Sequence, residues 1–104
     1  MTPSQRKAVL IEFVRYIRSK YDVSQENQYN KIMNTTRRFK ADYYLQPNIL
    51  IEINGGQWNN GRHNRGGKGY ENDLTKLNIA QHNGFKVYQF TYEMLMRREY
   101  INFI

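Results

Sequence analysis

Two carboxylates, Asp42 and Glu52, lie in a stretch whose pattern folds them toward each other. Residues 37–45 read as a strand, Gln46-Pro47 as a turn, and residues 48–54 as the returning strand. With the turn centred on Pro47, Asp42 stands opposite Glu52. Facing side chains on paired strands are only ~4.5–5.5 Å apart at Cβ, and like charges there are unfavourable. A cation bound between the two acids removes that penalty. The alternatives are a different turn register, or an arginine partner for each acid on a solvated sheet face.

Alternation supports the facing register, because successive strand residues point to opposite faces. Phe39, Ala41, Tyr43 and Leu45 share an apolar face with Ile49, Ile51 and Ile53. Lys40, Asp42 and Tyr44 share the other with Leu50, Glu52 and Asn54. A slip of one residue sets acids against isoleucines.

The hairpin needs a frame. Thr2 and Gln5 have capping-box spacing and Pro3 suits a first helical position, so a helix starts there. Val9, Leu10, Phe13, Val14 and Ile17 form its apolar stripe. Asp22-Val23-Ser24 reads as a turn, residues 26–33 as a weak strand, and Asn34-Thr35-Thr36 as a second turn. Residues 55–69 hold six of the seven glycines, and long loops of this kind are often functional. A helix over residues 70–82 turns Leu74, Leu77 and Ala80 inward and stops at Asn83-Gly84. Phe85 to Phe90 forms a strand, and Thr91 caps a last helix over residues 92–100 with Met94, Leu95 and Ile101 as its apolar contacts. The expected fold is α/β: helix, three-strand meander, helix, strand, helix. Its four-stranded sheet is mixed, since the strand at 85–90 follows a helical crossover and runs parallel to 48–54.

At 104 residues the chain has room for one compact domain, spanning 1–104. Sixteen Lys and Arg against nine Asp and Glu give a formal charge of +7. Long-range attraction then favours a polyanion, nucleic acid first and an anionic membrane surface second. The absence of cysteine excludes disulfides and thiolate metal sites and suits a cytoplasmic location. No apolar run is long enough to span a membrane.

The element order resembles the PD-(D/E)XK nuclease superfamily. So do Phe39-Lys40-Ala41-Asp42, Ile51-Glu52-Ile53-Asn54-Gly55-Gly56-Gln57-Trp58, Gly61-Arg62-His63, Gly69-Tyr70-Glu71-Asn72-Asp73, Lys76-Leu77-Asn78, Gly84-Phe85-Lys86-Val87 and Phe90-Thr91. The likeness covers residues 37–91. It is nearest to small phage and bacterial endonuclease-like proteins, related to very-short-patch repair endonucleases and to Holliday-junction-resolvase-like domains. The resemblance implies a restriction-endonuclease-like core and metal-dependent phosphodiester hydrolysis in the cytoplasm, that of the host if the protein is phage-encoded. Asp42, Glu52 and the backbone carbonyl of Ile53 then bind Mg²⁺, with Mn²⁺ accepted on the same hard-oxygen chemistry.

Asn54 departs from that family's pattern, which has lysine there. Asparagine carries no positive charge and cannot act as a general base. Three residues could replace the lysine. Lys40 opposes Asn54 in the expected register. Lys76 lies on the following helix within the resembling segment and is favoured, with Asp73 three residues earlier able to orient it. His63 could transfer protons near neutral pH. Each also has an ordinary reading as a solvent-facing or loop-bonded side chain.

Around the acids, Arg62, Arg65 and Lys68 in the glycine-rich stretch are phosphate-binding candidates, and His63 stands among them. Trp58 can stack on a base or pin the loop to the core. Arg37 and Arg38 add a basic rim, which supplies affinity and salt dependence but no sequence readout. The leading expectation is a divalent-metal-dependent endonuclease on DNA, structure-selective or weakly sequence-selective, with RNA also open and a homodimer offered by the apolar tail. The alternatives are a non-catalytic nucleic-acid-binding module on a nuclease fold, favoured by Asn54, and a basic phage-type inhibitor.

Overall fold

The structure is a computed structural model that describes residues 1–25, 41–54 and 68–104, the first three of the last segment in backbone alone. It shows a four-stranded mixed sheet flanked by helices. Helix α1 spans Pro3–Lys20, and its start follows the capping box. Gln5 N–H donates to Thr2 Oγ1 at 3.1 Å, and Thr2 N–H donates to Gln5 Oε1 at 2.8 Å. Replacing Thr2 with Ala is expected to cost about 1 kcal/mol. In a urea titration this lowers the midpoint with an unchanged slope.

Strands β1 (Val23–Gln25), β2 (Tyr43–Leu45), β3 (Ile49–Ile53) and β4 (Lys86–Phe90) lie side by side in sequence order. The first two pairings are antiparallel, and β3 with β4 is parallel. The first strand falls where a turn was expected. Val23 pairs with Leu45 and packs on the core, and Gln46 N–H reaches Asp22 O at 3.0 Å, so tertiary pairing overrides a turn-like tripeptide. The strand expected over 26–33 and the turn at 34–36 lie outside the described residues.

Helix α2 (Lys68–His82) crosses from β3 to β4. It begins inside the stretch read as a loop up to Gly69, so Lys68 belongs to a helix. It ends in a Schellman motif: Gly84 N–H donates to Gln81 O at 3.0 Å and Phe85 N–H to Ala80 O at 2.9 Å, with Gly84 at φ 85°. Phe85 and Ala80 share a core cluster, the apolar contact that accompanies this motif. Leu74, expected inward, is exposed, because Ile79 and Ala80 carry the packing of α2 on the sheet.

Helix α3 is short, Tyr92–Met96, capped by Thr91. The helix expected to run to residue 100 breaks at Arg98, whose φ of 56° is left-handed, and resumes as a 3₁₀ turn over Glu99–Asn102. Arg98 makes a two-pronged contact with Glu12 at 2.7 and 3.2 Å, and the break lets Tyr100 and Ile104 enter the core. Ile101, expected inward, is consequently exposed, as are Met96 and Phe103.

The sheet divides the core in two. On one face α1, α3 and the tail enclose Phe13, Ile17, Tyr43, Leu45, Ile49, Ile51, Phe90, Leu95 and Tyr100. On the other, Leu50, Ala80, Phe85 and Ala41 pack with Tyr44, Ile79 and Val87. Ala41 was expected on the Tyr43 face, and Asp42 is the reason it is not. Among the described residues no helix is long and apolar enough to cross a membrane.

Candidate functional site

Asp42 closes the β2–β3 ladder with its side chain. Tyr43 faces Ile51, the register that the hairpin pattern predicts, and one more step of it would set Asp42 against Glu52. Strand β2 nevertheless stops at Tyr43. Asn54 N–H donates to Phe90 O at 2.8 Å across β4, so the alternation of the backbone turns Ile53 N–H and C=O toward β2. In a continuing ladder Ile53 N–H would meet the carbonyl of residue 41. It donates instead to Asp42 Oδ2 at 2.7 Å. The chain bends at Asp42, and Ala41 swings to the opposite face. Asp42 therefore sits at the end of the inner strand β2, exposed, with one carboxylate oxygen fixed by a backbone donor.

Glu52 and Lys76 meet because strand and helix advance in step. Leu50 and Ala80 share a core cluster where α2 crosses the sheet. Glu52 lies two strand residues beyond Leu50, about 6.6 Å along β3. Lys76 lies one helical turn before Ala80, about 6 Å along α2 in the reverse chain direction. The ammonium Nζ is 3.8 Å from Glu52 Oε1, and both side chains are half-buried. Burial raises the Glu52 pKa above its ordinary value, Lys76 opposes that rise, and the nearby Asp42 and Asp73 add to it. One lysine thus meets Glu52, with Asp42 and Asp73 within electrostatic reach of that carboxylate, at the carboxyl end of the parallel β3–β4 pair, where open α/β sheets commonly bind ligands.

Asn54 has a different partner. Its Nδ2 donates to Gln89 Oε1 at 2.7 Å, and the parallel register sets Gln89 beside Glu52. Sequence reasoning did not single out Gln89. The parallel crossover, already inferred, would have indicated it once the register was counted.

The structure thus brings Asp42, Glu52, Ile53, Asn54 and Lys76 to one end of the sheet. Arg37, Arg38, Lys40, Trp58, Arg62, His63 and Arg65 lie outside the described residues, as does the side chain of Lys68. Among the described residues no three His, Cys, Asp or Glu side chains cluster closely enough to hold a metal by themselves. Asp42 and Glu52 offer hard oxygen atoms, and the Ile53 carbonyl emerges on the strand edge that Asp42 occupies. This all-oxygen donor set suits a magnesium-type ion that keeps several waters.

No protein-family profile, curated protein or solved structure matches the chain.

Proposed function

We propose that the chain is a divalent-metal-dependent endonuclease acting on DNA, built on a restriction-endonuclease-like core. The observation that carries this reading is the Lys76–Glu52 contact beside Asp42. It supplies, from a helix, the cation that Asn54 cannot provide. The resemblance of residues 37–91 to the PD-(D/E)XK nucleases and the charge of +7 support it as well.

Asp42, Glu52 and the Ile53 carbonyl would hold Mg²⁺ or Mn²⁺, which supplies polarisation of the scissile phosphate and a water of lowered pKa. The chain's own residues do the positioning. Ile53 N–H fixes the Asp42 carboxylate. Lys76 brings its positive charge to the Glu52 carboxylate, where it can also attract the non-bridging oxygens of a phosphodiester as negative charge builds on them. Gln89 holds the Asn54 carboxamide, which keeps that side chain in a fixed place on the Glu52 face.

The test is incubation with supercoiled and branched DNA in Mg²⁺, Mn²⁺ or EDTA. Metal-dependent nicking is expected, with Lys76→Ala slower by about 10²-fold, on the scale of one lost transition-state donor. Salt-sensitive binding without cleavage would favour the non-catalytic module instead. Full activity in Lys76→Ala would remove Lys76 from the mechanism.

A further inference from the structure

On the α1 side of Asp42 the surface holds a cleft of about 210 Å³, lined by Leu10, Gln25, Asp42, Tyr43, Ile53 and Tyr92. It shares Asp42 and Ile53 with the candidate site, while Lys76 approaches from the α2 side. The volume is below the roughly 300–1,000 Å³ that encloses a drug-sized ligand, so the cleft suits one ring system. Its walls are those a nucleobase uses. Leu10 and Ile53 are apolar and half-buried, and Tyr92 presents an aromatic ring. Polar groups also converge here. Gln25 and Tyr92 both lie near enough to the Tyr43 hydroxyl to influence it electrostatically.

Arg6 lies over the ring of Tyr92, one of the lining residues. Its guanidinium carbon is 5.3 Å from the centroid of the Tyr92 ring, and the side chain is exposed. Among the described residues the ion pairs are Lys76–Glu52, Arg97–Glu99 and Arg98–Glu12, so Arg6 has no carboxylate partner there. A cation stacked on a ring beside a base-sized cleft pairs the two elements by which proteins hold single-stranded nucleic acid, an aromatic platform and a backbone contact.

We infer that this cleft receives one unpaired nucleobase next to the scissile phosphate, with Arg6 on the adjoining phosphate, which makes DNA containing an unpaired nucleotide the preferred substrate. The inference rests on the endonuclease reading for its scissile bond but not for its binding. A base stacked within a continuous duplex cannot enter so small a recess, whereas one at a flap, bulge or junction can. Selection then comes from the state of the base and not from its identity.

The experiment measures binding in EDTA by fluorescence anisotropy. It compares a continuous duplex with the same duplex carrying one unpaired 2-aminopurine, and follows the 2-aminopurine emission in parallel. The wild-type protein is expected to prefer the second DNA by about tenfold, within the range for one stacked base, and to change the emission of its unpaired base. Tyr92→Leu should abolish both effects. Arg6→Ala should weaken binding and lower the salt slope by about 0.7–0.9, the loss of one phosphate contact. Gln25→Ala, at an exposed position, should reduce the preference and provides a second cleft variant if Tyr92→Leu fails to fold. Equal affinity for the two DNAs overturns the inference, and so does a preference that survives all three substitutions. Absence of cleavage in Mg²⁺ together with the binding preference rejects the endonuclease reading and leaves the cleft assignment standing.

Discussion

Glu52→Gln and Asp42→Asn are each expected to reduce metal-dependent cleavage by at least about 10²–10³-fold, while the protein stays folded. Losing a single electrostatic contributor at a reacting phosphate has that order of effect. The amides keep the shape of the acids, and the remaining Asn oxygen at position 42 can still accept the Ile53 N–H that the Asp42 carboxylate now accepts at 2.7 Å. Glu52→Gln should also melt at a higher temperature than the wild type in EDTA at neutral pH. Burial raises the pKa of Glu52, with Asp42 and Asp73 adding to it, so its ionised form is less favourable in the native state than in the unfolded one. The native protein then binds more protons than the unfolded chain, and stability falls as pH rises through that interval. Below the ordinary glutamate range both states are protonated, so the gap in melting temperature should close as pH falls toward it. Cleavage within tenfold of wild type would sink the catalytic assignment. A lower melting temperature for Glu52→Gln would show that Lys76 more than compensates the burial of Glu52.

Phe13→Ala should cost about 3–5 kcal/mol, the range for emptying a large aromatic position. Phe13 is fully buried, and its ring lies 4.9 Å from Tyr100, 5.9 Å from Phe90 and 6.1 Å from Tyr43. It therefore touches α1's partners in β2, β4 and the tail at once. Against the ~5–15 kcal/mol of a typical domain this is a large fraction. Urea unfolding followed by circular dichroism should show a large fall in midpoint. A loss below about 1 kcal/mol would mean that the core repacks around the cavity.

The parts of the fold read correctly from sequence are those with local rules. The capping box at Thr2, the helix stop at Gly84 and the Thr91 cap require only nearby residues, and each forms as the spacing predicts. The hairpin register was readable because the apolar residues of both strands must share one face and the acids the other. The failures are tertiary. Val23 enters a strand because Leu45 is there to pair with it, and nothing within Asp22-Val23-Ser24 announces Leu45. Arg98 adopts a left-handed backbone where it reaches Glu12, 86 positions away in the chain. At the site, the pairing of Tyr43 with Ile51 followed from the hairpin pattern, but the turn of the Asp42 carboxylate into the ladder did not. Alternation rules assume that the backbone, and not a side chain, accepts each ladder hydrogen bond.

The contacts between α1 and the chain's last residues have a consequence for synthesis. Glu12 binds Arg98, Phe13 packs on Tyr100, and Lys20 Nζ donates to Ile104 O at 2.7 Å. The ribosome releases α1 before these partners. At about 5–20 residues per second, the apolar stripe of the helix is exposed for several seconds before those partners emerge. During that time the protein depends on the solubility of a cationic amphipathic helix, and the core beneath α1 cannot close until Tyr100 and Ile104 have been made.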